Sequence, residues 1–149
     1  MPDKLPLDTL IGLARDSTDE AARKLGLLQG ARQHAAQQLS MLHDYRQDYL
    51  ERLQSAMQAG MPAADCYNYQ RFIATLDDAI GQQTRALGHA DEQLEGGRVN
   101  WRQEKRRLNS FDALQARQAR VQAQVDARRE QRLNDEHAAR LMRHPAGVH

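Results

Sequence analysis

The sequence predicts an all-α protein, a long two-helix antiparallel coiled-coil hairpin, and three observations lead there. Pro2, Pro6, Pro62 and Pro145 are the only prolines, so the one forced break between about Leu7 and His144 is Gly60-Met61-Pro62. Glycine just past a periodic run ends a helix with positive φ, and proline soon after suits only the start of a new one. Apolar residues recur every 3.5 residues on both sides of that break, which keeps one stripe of each helix facing a partner. Finally, a chain of 149 residues with 5% aromatic and 28% charged side chains, rich in Ala, Gln, Arg and Leu, has the composition of long helices rather than of a thick globular core.

A single coiled-coil domain over residues 1–149 is therefore expected, with a first helix at about 7–59, a turn at about 60–62 and a second helix at about 62–143. Residues 1–9 hold Asp3, Lys4 and two prolines and lack the apolar core of a signal peptide. No run approaches the ~20 apolar residues of a membrane span, and a cytoplasmic protein is expected. Cys66 is the only cysteine, which excludes an internal disulfide and a cysteine-rich zinc site and leaves a free thiol near the turn.

The first helix can be stepped alternately by four and three through Leu7, Ile11, Ala14, Thr18, Ala21, Leu25, Leu28, Arg32, Ala35, Leu39, Leu42, Arg46, Tyr49, Leu53 and Ala56. Spacing of this kind implies a left-handed supercoil. Gly12, Gly26 and Gly30 each cost about 1 kcal/mol relative to alanine in a helix interior, so this helix depends on its packing partner.

After the turn the pattern runs through Tyr69, Ile73, Leu76, Ile80, Gln83, Leu87, Ala90, Leu94, Gly97, Trp101, Glu104, Leu108 and Phe111. Gly96-Gly97 marks either a kink or a place where the two backbones approach. Beyond Phe111 the stripe slips, and Leu114, Val121, Val125 and Leu133 no longer continue it.

The arms differ in length. At 1.5 Å per residue the first spans roughly 80 Å and the second about 120 Å. Pairing residues at equal distance from about position 61 sets Leu7 near Gln115, so an overhang begins at about 115. Charge divides along the same line. Residues 1–97 carry nine Lys and Arg against fourteen Asp and Glu, a net of −5, and residues 98–149 carry twelve against six, a net of +6. A basic overhang fits an acidic partner surface or nucleic acid, or is simply a solvated face in which Asp126, Glu130, Asp135 and Glu136 alternate with the arginines.

Little in the chain points to catalysis, and no cofactor is expected. There is no glycine-rich phosphate loop with the following Lys and Ser or Thr. His34, His43, His89, His137, His144 and His149 include no pair at i, i+4 that would set two metal ligands on one helical face. Asp77-Asp78 and Asp91-Glu92 are adjacent, pointing about 100° apart, and cannot form a facing carboxylate dyad.

Around the turn, apolar residues exceed what a two-helix seam can use. Leu42, Tyr45 and Tyr49 on the first arm and Phe72, Leu76 and Ala79 on the second form a neighbouring stripe that reaches Gln83. Pairing about position 61 sets Tyr45 near Asp77 and Tyr49 near Ile73. Such a patch marks a binding surface, or else a wider core covered by a third helix or by self-association.

The stretch Asn68-Tyr69-Gln70-Arg71-Phe72-Ile73-Ala74-Thr75-Leu76-Asp77-Asp78-Ala79-Ile80, with Met41-Leu42-His43-Asp44-Tyr45 and Ala59-Gly60, resembles the flagellar type III export protein FliJ family. Similarity extends weakly along the chain through Trp101-Arg102 and Leu114-Gln115-Ala116-Arg117-Gln118. The resemblance implies a non-enzymatic component of the flagellar export apparatus, similar in fold to the γ subunit of rotary ATPases. It implies that the end bearing both termini enters the export ATPase ring. Contacts with the export-gate membrane protein and the export chaperones are implied too, with peripheral association at the inner membrane through these partners and no nucleic acid. The family's partner-binding cluster falls on Gln38, Leu42, Tyr45, Tyr49, Phe72, Leu76, Ala79 and Gln83. A histidine is usual where this chain has Gln83, and the tail from about Arg132 departs further from the pattern. The rival readings are a purely structural homodimeric coiled coil and a nucleic-acid binder working through the basic arm.

Overall fold

Gly60 is where the chain reverses. In the computed structural model, which describes residues 6–143, it is the only described glycine with positive φ, at 88°. The Gly60 N–H donates to the Met57 carbonyl at 3.2 Å and the Met61 N–H to the Ala56 carbonyl at 3.1 Å. This pair of bonds is the Schellman arrangement, which satisfies carbonyls that a helix end otherwise leaves open. Ala56 and Met61, the positions whose apolar contact usually accompanies it, are both half-buried.

The helices follow from that cap. α1 covers Leu7–Gln58 and α2 covers Ala63–Arg143. Each boundary lies one residue outside the expected turn, because Ala59 and Pro62 serve the cap rather than a helix interior. The Pro62 carbonyl accepts from the Asp65 and Cys66 N–H groups, both at 3.1 Å, so proline's missing donor is lost where no helical bond would have used it. Pro6 starts α1 in the same way, accepting from the Leu10 N–H. No described residue is in a strand, and the two helices pack against each other as a hairpin. Pro2, Pro145, His144 and His149 lie outside the described residues.

The stepped stripe is the packed one. Of the fifteen positions on α1 only Arg32 is exposed, and all thirteen on α2 are at least half-buried. The described chain divides into two compact units. One is Asp16–Glu104 and the other joins the segments up to Arg15 and from Lys105.

In the larger unit the buried seam is built from Thr18, Ala21, Ala35, Leu53, Ile73, Leu76 and Leu94. Two charged pairs cross it. Arg32 Nε donates to Asp91 at 2.8 Å, and Arg46 Nε donates to Asp77. The arginines are two heptads apart, as are the aspartates, so both pairs report one register. Half-exposed pairs of this kind contribute only about 0.5 kcal/mol each, so they select the register more than they stabilise it. α2 passes through Gly96-Gly97 without interruption. A Cβ on Gly97 would meet Leu28 Cδ1 at 2.6 Å, whereas one on Gly96 would meet nothing within 4 Å, so the missing side chain at Gly97 makes room for Leu28 of α1.

In the smaller unit Ile11, Ala14 and Leu108 form the buried cluster, with Leu7 and Phe111 against it. Gln115 Nε2 donates to Asp8 at 2.8 Å, beside the expected level of Leu7. From Ala113 to Arg143 every residue of α2 is exposed.

Two glycines distinguish cap from helix. Gly60→Ala forces alanine into positive φ and is expected to cost about 1 kcal/mol. Gly88→Ala, at a helical site with open space around the missing Cβ, is expected to stabilise by up to about 1 kcal/mol. Urea midpoints of the two variants should move in opposite directions; a Gly60→Ala protein as stable as wild type would remove the cap from its place in the fold.

Candidate functional site

The seam beside the turn is filled by Leu53, Ile73 and Leu76, so aromatic residues one position out of step cannot enter it. They line its side instead. Helical geometry places Phe72 next to Ile73 but about 100° around the helix. Phe72 is 42% exposed and Tyr45 51% exposed, whereas Ile73 is buried.

Tyr49 of α1 bridges to α2. Its ring centroid lies 4.4 Å from that of Phe72 at an interplanar angle of 44°, and 6.2 Å from that of Tyr69 at 53°. Tilted pairs at such distances contribute roughly 0.5–1.5 kcal/mol beyond their burial. Arg52 lies over the outer part of the same cluster, its guanidinium carbon 5.2 Å from the Tyr49 centroid, close enough for a cation–π contact. The result is an aromatic surface straddling both helices, with the Arg52 guanidinium, itself paired with Asp48 at 3.1 Å, beside it.

The eight sequence-predicted residues divide into groups. Tyr45, Phe72 and Gln38 are exposed, and Leu42, Tyr49 and Ala79 are half-buried. Leu76 is 7% exposed and belongs to the seam. Gln83 faces inward as well: its side-chain amide donates to the Ala35 carbonyl at 3.1 Å, tying α2 to α1. Arg52 was not among the expected residues, although its i, i+3 spacing from Tyr49 is the signal that finds it. Tyr67, 60% exposed with Arg71 at 5.9 Å from its ring, lies about 140° around α2 from Phe72 and belongs to a different face.

Asp77 and Asp91, each one of an adjacent acidic pair, are engaged by Arg46 and Arg32 across the seam. The described histidines, His34, His43, His89 and His137, are all exposed. Among the described residues no three His, Cys, Asp or Glu side chains are grouped to hold a metal ion. Cys66 is a half-buried free thiol. No described helix is long and apolar enough to cross a membrane.

A family model described as flagellar FliJ protein matches residues 3–147. The chain is 38% identical over 140 residues to the flagellar FliJ protein of Escherichia coli K12, a match covering 93% of this chain and 95% of that one. It is 37% identical over 140 residues to the flagellar FliJ protein of Salmonella typhi, with the same coverage of each chain.

The ring contacts set different stabilities for neighbouring substitutions. Phe72→Ala is expected to cost about 1–2 kcal/mol, because it removes the partner of Tyr49. Tyr45→Ala, on the exposed side, should stay within about 0.5 kcal/mol of wild type. Thermal melts of both variants measure the contrast, and equal losses would contradict a stabilising Tyr49–Phe72 ring contact.

Proposed function

This chain belongs to the flagellar FliJ family, and on that premise we propose that it is a soluble, non-catalytic component of the flagellar type III export apparatus. It acts as a coiled-coil stalk. The end that carries both chain termini binds the export ATPase ring, the aromatic surface beside the turn binds the export-gate membrane protein, and export chaperones are further partners. It works in the cytoplasm and reaches the inner membrane through these proteins.

The observation that carries this reading is the aromatic surface itself. Tyr45 and Phe72 stand beside a seam that holds Leu53, Ile73 and Leu76, and Tyr49, a half-buried seam position, brings its ring against Phe72. Aromatic side chains left half in water, with an arginine over one of them, have the composition that interfaces concentrate at their energetic centres. Leu76 and Gln83 take part indirectly in this scheme. They hold α2 against α1 at the level where the surface forms; Leu76 is buried there, and Gln83 is as half-buried as Leu42, Tyr49 and Ala79, with Gln38, Tyr45 and Phe72 the most open.

Tyr45→Ala is the decisive variant, since it removes interface area and leaves the seam alone. Its affinity for the soluble domain of the export gate should fall roughly thirtyfold, corresponding to about 2 kcal/mol, with an unchanged melting temperature. Full affinity in the variant would move the gate contact off this surface. The ring contact is tested separately by ATP hydrolysis: the purified export ATPase should be stimulated by the full chain, and a rate indifferent to it would overturn that part.

A further inference from the structure

The C-terminal part of α2 has a two-sided character that neither the seam nor the aromatic surface explains. Every residue from Ala113 to Arg143 is exposed. Leu114, Val121 and Val125 are nevertheless large apolar residues, 47%, 52% and 43% exposed. At about 100° per residue they fall within about 40° of one another on the helix, forming one narrow stripe.

Two shallow grooves lie along it. The first is lined by Leu114, Arg117, Gln118, Val121 and Gln122, and the second by Val125, Arg128, Gln131 and Arg132. Three arginines and no carboxylate line them. Asp126 and Glu130 lie about 100° and 140° around the helix from Val125, and Asp126 accepts a hydrogen bond from Gln122 at the edge of the first groove. The first carboxylates on this face, Asp135 and Glu136, come only after Arg132, and Asp135 accepts a hydrogen bond from Gln131 at 3.1 Å. The face therefore has an apolar centre and a cationic margin.

That combination selects an occupant. A second copy laid on the same face would oppose arginine to arginine, a repulsive arrangement. Nucleic acid would use the cations and leave the apolar stripe in water. An acidic amphipathic helix satisfies both, its apolar seam on Leu114, Val121 and Val125 and its carboxylates beside Arg117, Arg128 and Arg132. We propose that this arm is a docking surface for an acidic amphipathic helix of a partner protein, about five turns long, since Leu114 to Arg132 spans about 27 Å. The inference does not rest on the ring reading and would hold for any partner that offers such a helix.

The test uses the full chain and two synthetic peptides of equal length and composition. One has leucines at heptad a and d positions with glutamates flanking them, and the other has the same residues in scattered order. Fluorescence anisotropy at about 0.15 M salt should show the patterned peptide binding at least tenfold tighter than the scattered one. Val121→Ala with Val125→Ala, which improves helix propensity while stripping the apolar stripe, should abolish that preference. Arg128→Gln with Arg132→Gln should weaken both peptides and flatten the salt dependence. Equal binding of the two peptides, or an unaltered preference in the alanine variant, overturns the proposal. So does concentration-dependent self-association that the alanine variant loses, which would make a second copy the occupant. Because no ATPase is present, the result is independent of the hydrolysis assay.

Discussion

A two-helix hairpin has one seam, and each helix can give it only one stripe. No large side chain is fully buried among the described residues, so no single jigsaw contact can dictate how the helices align. Alignment has to be specified separately. The Gly60 cap sets where the second helix begins, and the crossing pairs Arg32 to Asp91 and Arg46 to Asp77 punish any other pairing. Sliding one helix by a heptad separates both arginines from both aspartates at once. The seam thus gains its definition from charged residues that add little to its stability.

The narrow seam also explains why an aromatic surface is left partly exposed. In a globular core, Tyr45, Tyr49 and Phe72 would be covered by a third layer. Here the seam closes over Leu53, Ile73 and Leu76 and leaves the next residue around each helix at its margin. The Tyr49 and Phe72 rings meet only because α1 and α2 are in one register. The residues that position the helices therefore also position the aromatic surface.

Most of the fold was legible because period and punctuation are local properties of a sequence. The 3.5-residue stepping located the packed positions on both helices, with Arg32 the one exposed exception on α1. Counting outward from the turn placed Tyr49 beside the Ile73 region and Leu7 beside the Gln115 region, near the observed contacts. The division within the aromatic surface was harder to read. Leu76 fits both stripes by number, and only three-dimensional packing assigns it to the seam. Gln83 likewise falls in both stripes by number, and its amide reaches the Ala35 carbonyl from the seam side. The sequence of Gly96-Gly97 does not say which glycine serves packing, and the position of Leu28 assigns that part to Gly97. Family resemblance supplied what periodicity could not, a biological setting for the hairpin.

The exposed arm of α2 has a thermodynamic consequence of its own. An isolated helix must first nucleate, at a statistical weight of about one in a thousand. This arm has already been nucleated, because it grows from a stretch of α2 held by Ile11, Ala14 and Leu108. Each further turn needs only propagation, which is close to neutral for the alanine, glutamine and arginine that fill it. Such a helix shortens from its free end in small steps rather than melting as a block, and its backbone amides should exchange with solvent along a gradient toward Arg143. The length of ordered helix it presents is then a continuous quantity, set by temperature and by whatever grips it.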